Sequence, residues 1–335
     1  MNDALDVVTA ADQTLLPGVA GLVQSVHANA QGARIRFHLL TREADERAAR
    51  SLLQCFATAR PETMKVSIHA ISEAWINATL LPRIRVEADP AITGKLSSPL
   101  NYVRFFLTAL LPASVVGSVG KGRVLYLDAD IIVRGNLYEL VSRVSLPAGI
   151  AVAAVPRHEA HFRYKRYEQK CASVYELRYP DRPPFDPSLE TFNAGVILLD
   201  LQTWQRLQLT EEALWWMDQH RANADGGLWH LGSQPILHLM LHGRWHPLPD
   251  HWNLDGLGRV AQLPAAALKA AHLLHWTGRR KPWLPDGLHS DLYRLYVPTA
   301  LLRRCWPAWT RANARPISFS THGHRRITLT RSSAA

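Results

Sequence analysis

Apolar residues along the first 71 positions alternate between short strand-like runs and a longer helical stripe. The runs lie at residues 6–11, 34–40 and 65–71 and are typical of buried strands. Between the first two runs, one helix face is marked by Leu15, Val19, Leu22, Val23 and Val26. A polar helix through Arg50 and Leu53 separates the second run from the third. This β-α-β-α-β order predicts an α/β fold whose sheet carries helices on its faces.

Three further strand-like runs follow at residues 124–133, 150–155 and 194–199. Before the first of these runs, a helix is predicted whose apolar face consists of Val103, Phe106, Leu107 and Leu110. Tyr102 and Arg104 lie off this face and are free to point elsewhere. Residues 156–191 are crowded with His, Arg, Tyr and Pro, which predicts a long loop over one end of the sheet that carries substrate contacts.

Another predicted helix has Thr210 as its N-cap and Glu211 and Glu212 in its first turn. The chain shows no internal repeat, low-complexity tract or Gly/Ser linker, so a second independent core is not required.

The composition is that of a soluble globular protein, since 47% of the 335 residues are hydrophobic and 20% are charged. No apolar run approaches the roughly 20 residues that span a bilayer. The N-terminal segment is acidic and lacks the basic and apolar regions of a secretory signal, so the cytoplasm is the expected compartment. Cys55, Cys171 and Cys305 have no zinc-binding spacing, and we expect all three to be reduced and structural.

The formal net charge of +10 is concentrated at the C-terminus, where residues 301–335 carry seven arginines and no acidic residue. Together with Trp306 and Trp309, this segment could contact an anionic membrane face or nucleic acid, or be a solvated tail. No helix-turn-helix, RRM or zinc-finger pattern supports the nucleic-acid alternative. We therefore divide the chain into a main domain, residues 1–290, and a basic aromatic tail, residues 291–335.

Candidate chemistry begins with Asp128 and Asp130, which interrupt an otherwise buried run. Two carboxylates at i and i+2 where a strand ends can converge on one hard divalent cation, although such a triplet can also cap a turn. Downstream lie His275, Gly278 and Lys281, which could supply a nitrogen ligand, close backbone approach to a phosphate and a positive charge. The combination predicts a clamp for a metal and a diphosphate.

Neither a P-loop nor a G-x-G-x-x-G motif follows the first strand, so a P-loop NTPase and a dinucleotide oxidoreductase are not supported. Several ordered blocks instead resemble glycosyltransferase family 8, whose retaining enzymes include bacterial lipopolysaccharide galactosyl- and glucosyltransferases. The resemblance covers roughly residues 5–285 and rests on VVTAADQ, RIRFHLLT, NYVRF, VLYLDADIIVRGNLYEL, FNAGVILLDLQTW and HWTGRRKPW. It implies a Rossmann-like GT-A fold with a mixed, mostly parallel sheet.

The resemblance also implies roles for individual residues. It assigns the Mn²⁺ ligands, with Mg²⁺ as the alternative ion, to Asp128, Asp130 and His275. It assigns binding of the uracil and ribose of a UDP-sugar to Ala10, Ala11 and Asp12, and binding of the β-phosphate to Gly278 and Lys281. It assigns contacts with the donor sugar to Arg104, Asn193 and Gln234, and it assigns Arg104 a contact with the diphosphate as well.

Two departures from the family pattern affect specificity. Ser233 and Pro235 flank Gln234, where many members have an aspartate on each side of the glutamine. The carboxylate before the glutamine, which hydrogen-bonds sugar hydroxyls, is therefore missing, and the identity of the donor sugar is not determined. At residues 156–158, Arg157 stands near where galactosyltransferases have an acceptor-side acidic residue. This arginine would suit an anionic acceptor, or it is an exposed loop side chain.

The resemblance predicts an Mn²⁺-dependent retaining hexosyltransferase that moves a sugar from a UDP-hexose to a glycan or lipid-linked glycan hydroxyl. Lipopolysaccharide or surface-glycan synthesis at the inner face of the plasma membrane is the expected setting. Alternatives are a GT-A transferase with another donor or with a protein or small-molecule acceptor, and a non-catalytic nucleotide-sugar-binding protein. Because the Gln234 amide is a poor nucleophile, retention is expected to proceed by front-face attack.

Overall fold

A computed structural model describes residues 4–56, 64–85, 98–117, 122–230 and 232–306. Within these ranges a seven-stranded sheet has the order β3-β2-β1-β4-β7-β6-β8, and a separate two-stranded sheet pairs β5 with β9. The strands are β1 Leu5–Ala10, β2 Ile35–Arg42, β3 Met64–Ile71, β4 Arg123–Leu127, β5 Ile131–Val133, β6 Val152–Arg157, β7 Thr191–Asp200, β8 His246–Pro247 and β9 Leu273–His275.

The α-helices flank these strands. They are α1 Leu16–Ala28, α2 Glu46–Phe56, α3 Glu73–Trp75, α4 Leu107–Leu110, α5 Ala113–Val116, α6 Leu137–Arg143, α7 Lys165–Arg178, α8 Leu201–Arg206, α9 Leu209–Ala222, α10 Gln234–Met240, α11 Ala265–Ala270, α12 Ser290–Arg294 and α13 Thr299–Cys305. Short 3-10 turns include Gln13–Leu15, Val103–Phe106 and Asp250–Trp252, and a π turn, Ile76–Leu80, extends α3.

The predicted mixed, mostly parallel sheet is confirmed. Strands β3, β2, β1 and β4 run parallel, whereas β7 pairs antiparallel with both β4 and β6. The predicted helices α1 and α2 connect the first three strands as the apolar pattern indicated. This arrangement brings the carboxyl ends of β1 and β4 to the same edge of the sheet.

Apolar side chains fill both faces of the sheet, because successive residues of a strand point to opposite sides. Along β4, Val124 and Tyr126 join one buried cluster, and Leu125 and Leu127 join the other. The first cluster includes residues of α7, α9 and α10, and the second includes residues of α1 and α2. Helices therefore cover both faces.

Several predicted elements differ from the structure. The run at residues 124–133 is two strands, β4 and β5, because the chain turns at Asp128–Asp130 and β5 enters the second sheet. The segment 156–191 is not a loop throughout, since it contains the 14-residue helix α7. The predicted helix face near residue 104 is a 3-10 turn followed by the four-residue α4.

Thr210 is not a helix cap. It lies inside α9, where its hydroxyl donates to the Phe105 carbonyl at 2.6 Å and accepts from Trp204 Nε1 at 3.0 Å.

The expectation of three reduced cysteines is wrong for two of them. Cys55 in α2 and Cys305 in α13 form a disulfide, with their Cα atoms 5.5 Å apart. Their 250-residue separation in sequence leaves no local pattern that could reveal the pair. Cys171 is free and buried.

The first part of the predicted tail packs on the main domain. Tyr293, Val297 and Leu302 are buried in the same cluster as α1 and α2. Residues 307–335, including Trp309, lie outside the described residues. Among the helices of the described residues, none combines the length and the apolar character needed to cross a bilayer.

Candidate functional site

The site forms where β4 ends and the chain turns into β5. Asp128 directly follows β4, and its backbone N–H donates to the Gly195 carbonyl at 2.8 Å. Asp130 precedes β5, whose first residue, Ile131, pairs with His275 on β9. This antiparallel register brings His275 beside the two aspartates, although it is 145 positions beyond Asp130 in the sequence.

The three side chains form a compact set of potential metal ligands. Their ligand atoms lie within 4.8 Å of one another. His275 Nε2 is 3.2 Å from Asp130 Oδ1 and 3.7 Å from Asp128 Oδ2. Atoms that bind one small divalent cation at about 2.1 Å lie roughly 3 to 4 Å apart, and carboxylate oxygens with one imidazole are a donor set that Mn²⁺ accepts. The residues therefore fit such an ion.

Lys281 adds a positive charge to this set. Its Nζ donates to Asp130 Oδ2 and, at 2.7 Å, to the Trp276 carbonyl. Burial disfavours the ionised form of Asp130, but Lys281 and His275 outweigh that effect and hold the pKa of this carboxyl well below its usual range. Asp130 is therefore an anion at neutral pH.

Arg104 reaches the site from the 3-10 turn after residue 102. Its Nη2 donates to Asp128 Oδ1 at 3.1 Å, its Nη1 donates to the Ala194 carbonyl at 2.6 Å, and its guanidinium lies 4.6 Å from the centre of the Tyr126 ring. With 7% of its surface exposed, Arg104 is fixed in place rather than solvated.

Gln234 and Asn193 meet on the backbone of β7. Gln234 Oε1 accepts from the Ala194 N–H at 2.9 Å, and Asn193 Oδ1 accepts from the Gly195 N–H at 2.8 Å. Ser233 is buried before α10 and makes no side-chain cap. Gln234, Asn193 and Arg104 therefore hold one short stretch of β7 next to Asp128.

Gly195 gives His275 room to approach Asp128. A methyl group at this position would overlap the His275 Cε1 atom and lie 2.9 Å from Asp128 Oδ2. The site therefore requires glycine here, a requirement that sequence analysis missed although FNAGV was recognised.

Asn253 and Asp255, which sequence analysis also missed, extend the site behind His275. His275 Nδ1 lies 3.1 Å from Asn253 Oδ1, and Asn193 Nδ2 donates to Asp255 Oδ2 at 2.8 Å. Arg157 forms an ion pair with Asp255 and stacks on the Phe162 ring at 4.0 Å. The exposed-loop alternative for Arg157 is wrong, because 12% of its side chain is exposed.

The remaining predicted residues lie around this centre. Ala10 and Ala11 are buried at the carboxyl end of β1, and the Asp12 carboxylate caps the next turn by accepting from the Thr14 N–H at 2.9 Å. Since Val8 pairs with Tyr126 in parallel register, Ala10 is level with Asp128.

Gly278 has a φ of +112° and packs against the backbone of Gly258. The chain thus turns sharply between His275 and Lys281, which brings both side chains to Asp130.

Comparisons with known proteins agree with this architecture. A family model described as "Glycosyl transferase family 8" matches residues 6–287. The probable galacturonosyltransferase-like 2 of Arabidopsis thaliana is 27% identical over 317 residues, which cover 90% of this chain and 83% of that protein. Glycosyltransferase 8 domain-containing protein 2 of Homo sapiens is 28% identical over 261 residues, which cover 67% of this chain and 69% of that protein.

Two solved structures share the fold. The galactosyltransferase LgtC, in complex with donor and acceptor sugar analogs, has a TM-score of 0.62 and 20% identity, and the match covers 90% of this chain and 100% of that one. The bifunctional glycosyltransferase WbbM has a TM-score of 0.63 and 18% identity, covering 91% and 52% respectively. The family match spans most of the chain, and we conclude that this chain belongs to glycosyltransferase family 8 and has the GT-A fold.

Proposed function

We propose that this chain is a retaining hexosyltransferase that moves a sugar from a UDP-sugar to a glycan hydroxyl, with Mn²⁺ held by Asp128, Asp130 and His275. The observation that carries the proposal is the convergence of these three ligand groups within 4.8 Å. A bound divalent cation would neutralise negative charge on the departing diphosphate. Mg²⁺ is the alternative ion.

The surrounding residues supply fixed charges and hydrogen bonds. Lys281 and Arg104 each contact one of the two aspartates, so both cations lie beside the expected position of the diphosphate. Preorganised cations in a partly water-excluded site stabilise charge that develops on a leaving group. This arrangement supports transfer more strongly than the alternative of a non-catalytic nucleotide-sugar binder.

Gln234 supports a front-face route to retention. In this step the acceptor oxygen bonds to the anomeric carbon on the side from which the phosphate oxygen departs, and that phosphate oxygen takes the acceptor proton. The carbonyl oxygen of Gln234 accepts one hydrogen bond, from Ala194, and keeps a second lone pair for the positive charge that develops on the sugar. Its amide is a poor nucleophile, so a covalent intermediate on Gln234 is not proposed.

The acceptor is proposed to be lipopolysaccharide core or a related surface glycan. The basic segment after residue 306 is proposed to hold the enzyme on the anionic inner face of the plasma membrane, where lipid-linked acceptors lie. Because a relative is named a probable galacturonosyltransferase-like protein, UDP-galacturonic acid is added to UDP-glucose, UDP-galactose and UDP-N-acetylglucosamine as a candidate donor. The donor screen also includes UDP-xylose, which carries a pentose and tests the assignment to hexose transfer.

The test is Mn²⁺-dependent stabilisation of the purified chain by each donor. A ligand at 100 times its Kd stabilises the native state by about 2.7 kcal/mol, which a melting curve detects. We expect at least one UDP-sugar to stabilise the wild type only with Mn²⁺ and to be turned over, and Asp130→Asn to lose both effects.

The matched control is Asp6→Asn, which removes another buried carboxylate that contacts an arginine and a histidine, Arg36 and His38. This variant should keep the Mn²⁺-dependent response even if its melting temperature falls. The proposed metal site would be contradicted if Asp130→Asn were stabilised by Mn²⁺ and the donor, and turned the donor over, to the same extent as the wild type.

A further inference from the structure

We infer that Asn253 is a positioning residue that presents His275 Nε2 to the metal, through hydrogen bonds whose direction is fixed by the backbone of Gly195. The inference rests on the proposed metal site and adds a residue that contacts neither the metal nor the sugar in that proposal. Asn253 follows the turn Asp250–Trp252 and is 7% exposed.

The direction of the hydrogen bonds begins at a group that can only donate. The Gly195 backbone N–H points at Asn193 at 2.8 Å, so the amide atom that receives it must be Oδ1. Asn193 Nδ2 then faces Asp255 Oδ2 at 2.8 Å. Because an ionised carboxylate can only accept, both ends of the Asn193 amide require the same orientation.

This orientation determines that of Asn253. Asn193 Oδ1 lies 3.1 Å from the second amide, which must therefore present its Nδ2 as donor. Asn253 Oδ1 consequently faces His275 Nδ1 at 3.1 Å and needs a hydrogen there. Nδ1 therefore carries a proton in either charge state of the ring, and in the neutral ring, the form that binds a metal, Nε2 has a free lone pair directed toward Asp130 and Asp128.

Burial and backbone pairing hold these groups in place. His275 is 1% exposed, so water does not readily replace the asparagine as acceptor. The next residue, Leu254, accepts from the His275 N–H at 2.9 Å and donates to the Leu273 carbonyl at 3.0 Å. The segment that carries Asn253 is thereby bound to the strand that carries His275, and the two side chains keep a fixed spacing.

A histidine that binds a metal through one nitrogen commonly donates its other N–H to a fixed acceptor, and loss of that acceptor typically costs about 10- to 100-fold in metal affinity. Asn253→Leu removes the acceptor. Asn253→Asp keeps an acceptor for Nδ1 but cannot donate to Asn193, so it separates the two halves of the network.

The experiment measures the Kd for Mn²⁺, from the electron paramagnetic resonance signal of the free ion, and the Mn²⁺ dependence of turnover. We expect Asn253→Leu to bind Mn²⁺ about 10- to 100-fold more weakly, with kcat recovering at saturating Mn²⁺. Asn253→Asp should stay within about threefold of the wild-type Kd, because the Nδ1 acceptor is retained.

The control is Asn29→Leu, which removes an amide that donates to Ser25, Val133 and Tyr296 outside the site and should leave the Kd unchanged. The inference is wrong if folded Asn253→Leu binds Mn²⁺ like the wild type, or if Asn253→Asp is weakened more than tenfold. The second result decides the question even if Asn253→Leu does not fold.

These outcomes also separate this inference from the proposed function. If the wild type binds Mn²⁺ and Asp130→Asn does not, a normal Asn253→Leu rejects only the positioning role. If the wild type does not bind Mn²⁺, the proposed metal site is rejected together with the role of Asn253.

Discussion

At the scale of single residues, the absence of a side chain at Gly195 decides whether His275 can approach Asp128. Gly195→Ala would push the imidazole away, because the added methyl overlaps the His275 Cε1 atom and neither neighbour is a flexible chain end. A displacement of about 1 Å at a catalytic centre can lower the rate by about 100-fold, and we expect a loss of that size in kcat/KM.

The control for this prediction is Gly117→Ala, where the nearest atom to an added methyl is the Ala113 carbonyl oxygen at 3.0 Å. We expect both variants to lose some stability, but only the change at residue 195 should raise the Mn²⁺ concentration required for half-maximal activity. Equal kinetics in the two variants would show that His275 does not depend on the space at Gly195.

Sequence reasoning at this scale identified the residues with recognisable chemistry. Asp128, Asp130, His275 and Lys281 were predicted from their types and spacing, and their side chains do converge. Asn253 and Asp255 were missed because an amide and a carboxylate in a turn carry no local signal, and their contacts are with residues distant in the chain. The partner of Arg157 could not be predicted for the same reason.

At the scale of elements, the predicted helices and strands were correct where apolar residues were regularly spaced. They were wrong where the buried face of an element consists of residues other than aliphatic ones. Helix α7 buries Tyr167, Cys171 and Tyr175, which lie four residues apart on one face. Two of these carry hydroxyls, and the surrounding Arg, Lys and Glu conceal the stripe. The run at residues 124–133 was predicted as a single strand-like run, interrupted at its two aspartates, because both flanks are apolar. Its division into β4 and β5 depends on the pairing of β5 with β9.

The disulfide between α2 and α13 gives a prediction at the same scale. It closes a loop of about 250 residues, and removing a cross-link of this kind typically costs about 2 to 4 kcal/mol because the unfolded chain gains freedom. We expect Cys55→Ser to lower the free energy of unfolding by that amount in urea titrations.

Reduction provides the control for this prediction. Under a thiol reductant the wild type and Cys55→Ser should have the same stability, whereas Cys171→Ala, which changes a free buried thiol, should still respond to the reductant. An oxidised wild type no more stable than the reduced protein would contradict a stabilising role for the disulfide.

At the scale of the whole molecule, the alternation of strands and helices was sufficient to predict the class of fold, but not the order of strands. The parallel neighbours β1, β2 and β3 follow from short β-α-β units. The insertion of β7 between β4 and β6, antiparallel to both, depends on long-range pairing that local patterns do not encode. This insertion matters for the site, because β7 carries Asn193 and Gly195 next to the end of β4.

The distribution of charge over the whole chain leads to the last prediction. Residues 291–306 belong to the packed domain through Tyr293, Val297 and Leu302, so a truncation that tests the basic segment should begin at residue 307. Removing residues 307–335 deletes five arginines and no acidic residue. Each basic residue near an anionic membrane contributes about 1 kcal/mol, so binding to vesicles with anionic lipid should fall by well over tenfold. Hydrolysis of a soluble UDP-sugar should persist, because the metal ligands and their partners all precede residue 307.

Two variants that keep residues 307–335 distinguish the effect of the segment's positive charge on vesicle binding from the effect of its arginine side chains. Replacing its five arginines with lysine keeps the charge and should preserve vesicle binding, whereas replacing them with glutamine should reproduce the truncation. Membranes and nucleic acids are both polyanions that attract arginine, so salt-sensitive binding alone does not distinguish them. Vesicle binding that weakens as the salt concentration rises, together with weak binding to DNA, would favour a membrane as the partner. If the glutamine variant binds vesicles as the wild type does, electrostatic attachment through this segment is rejected while the transferase assignment stands, because the two rest on different residues.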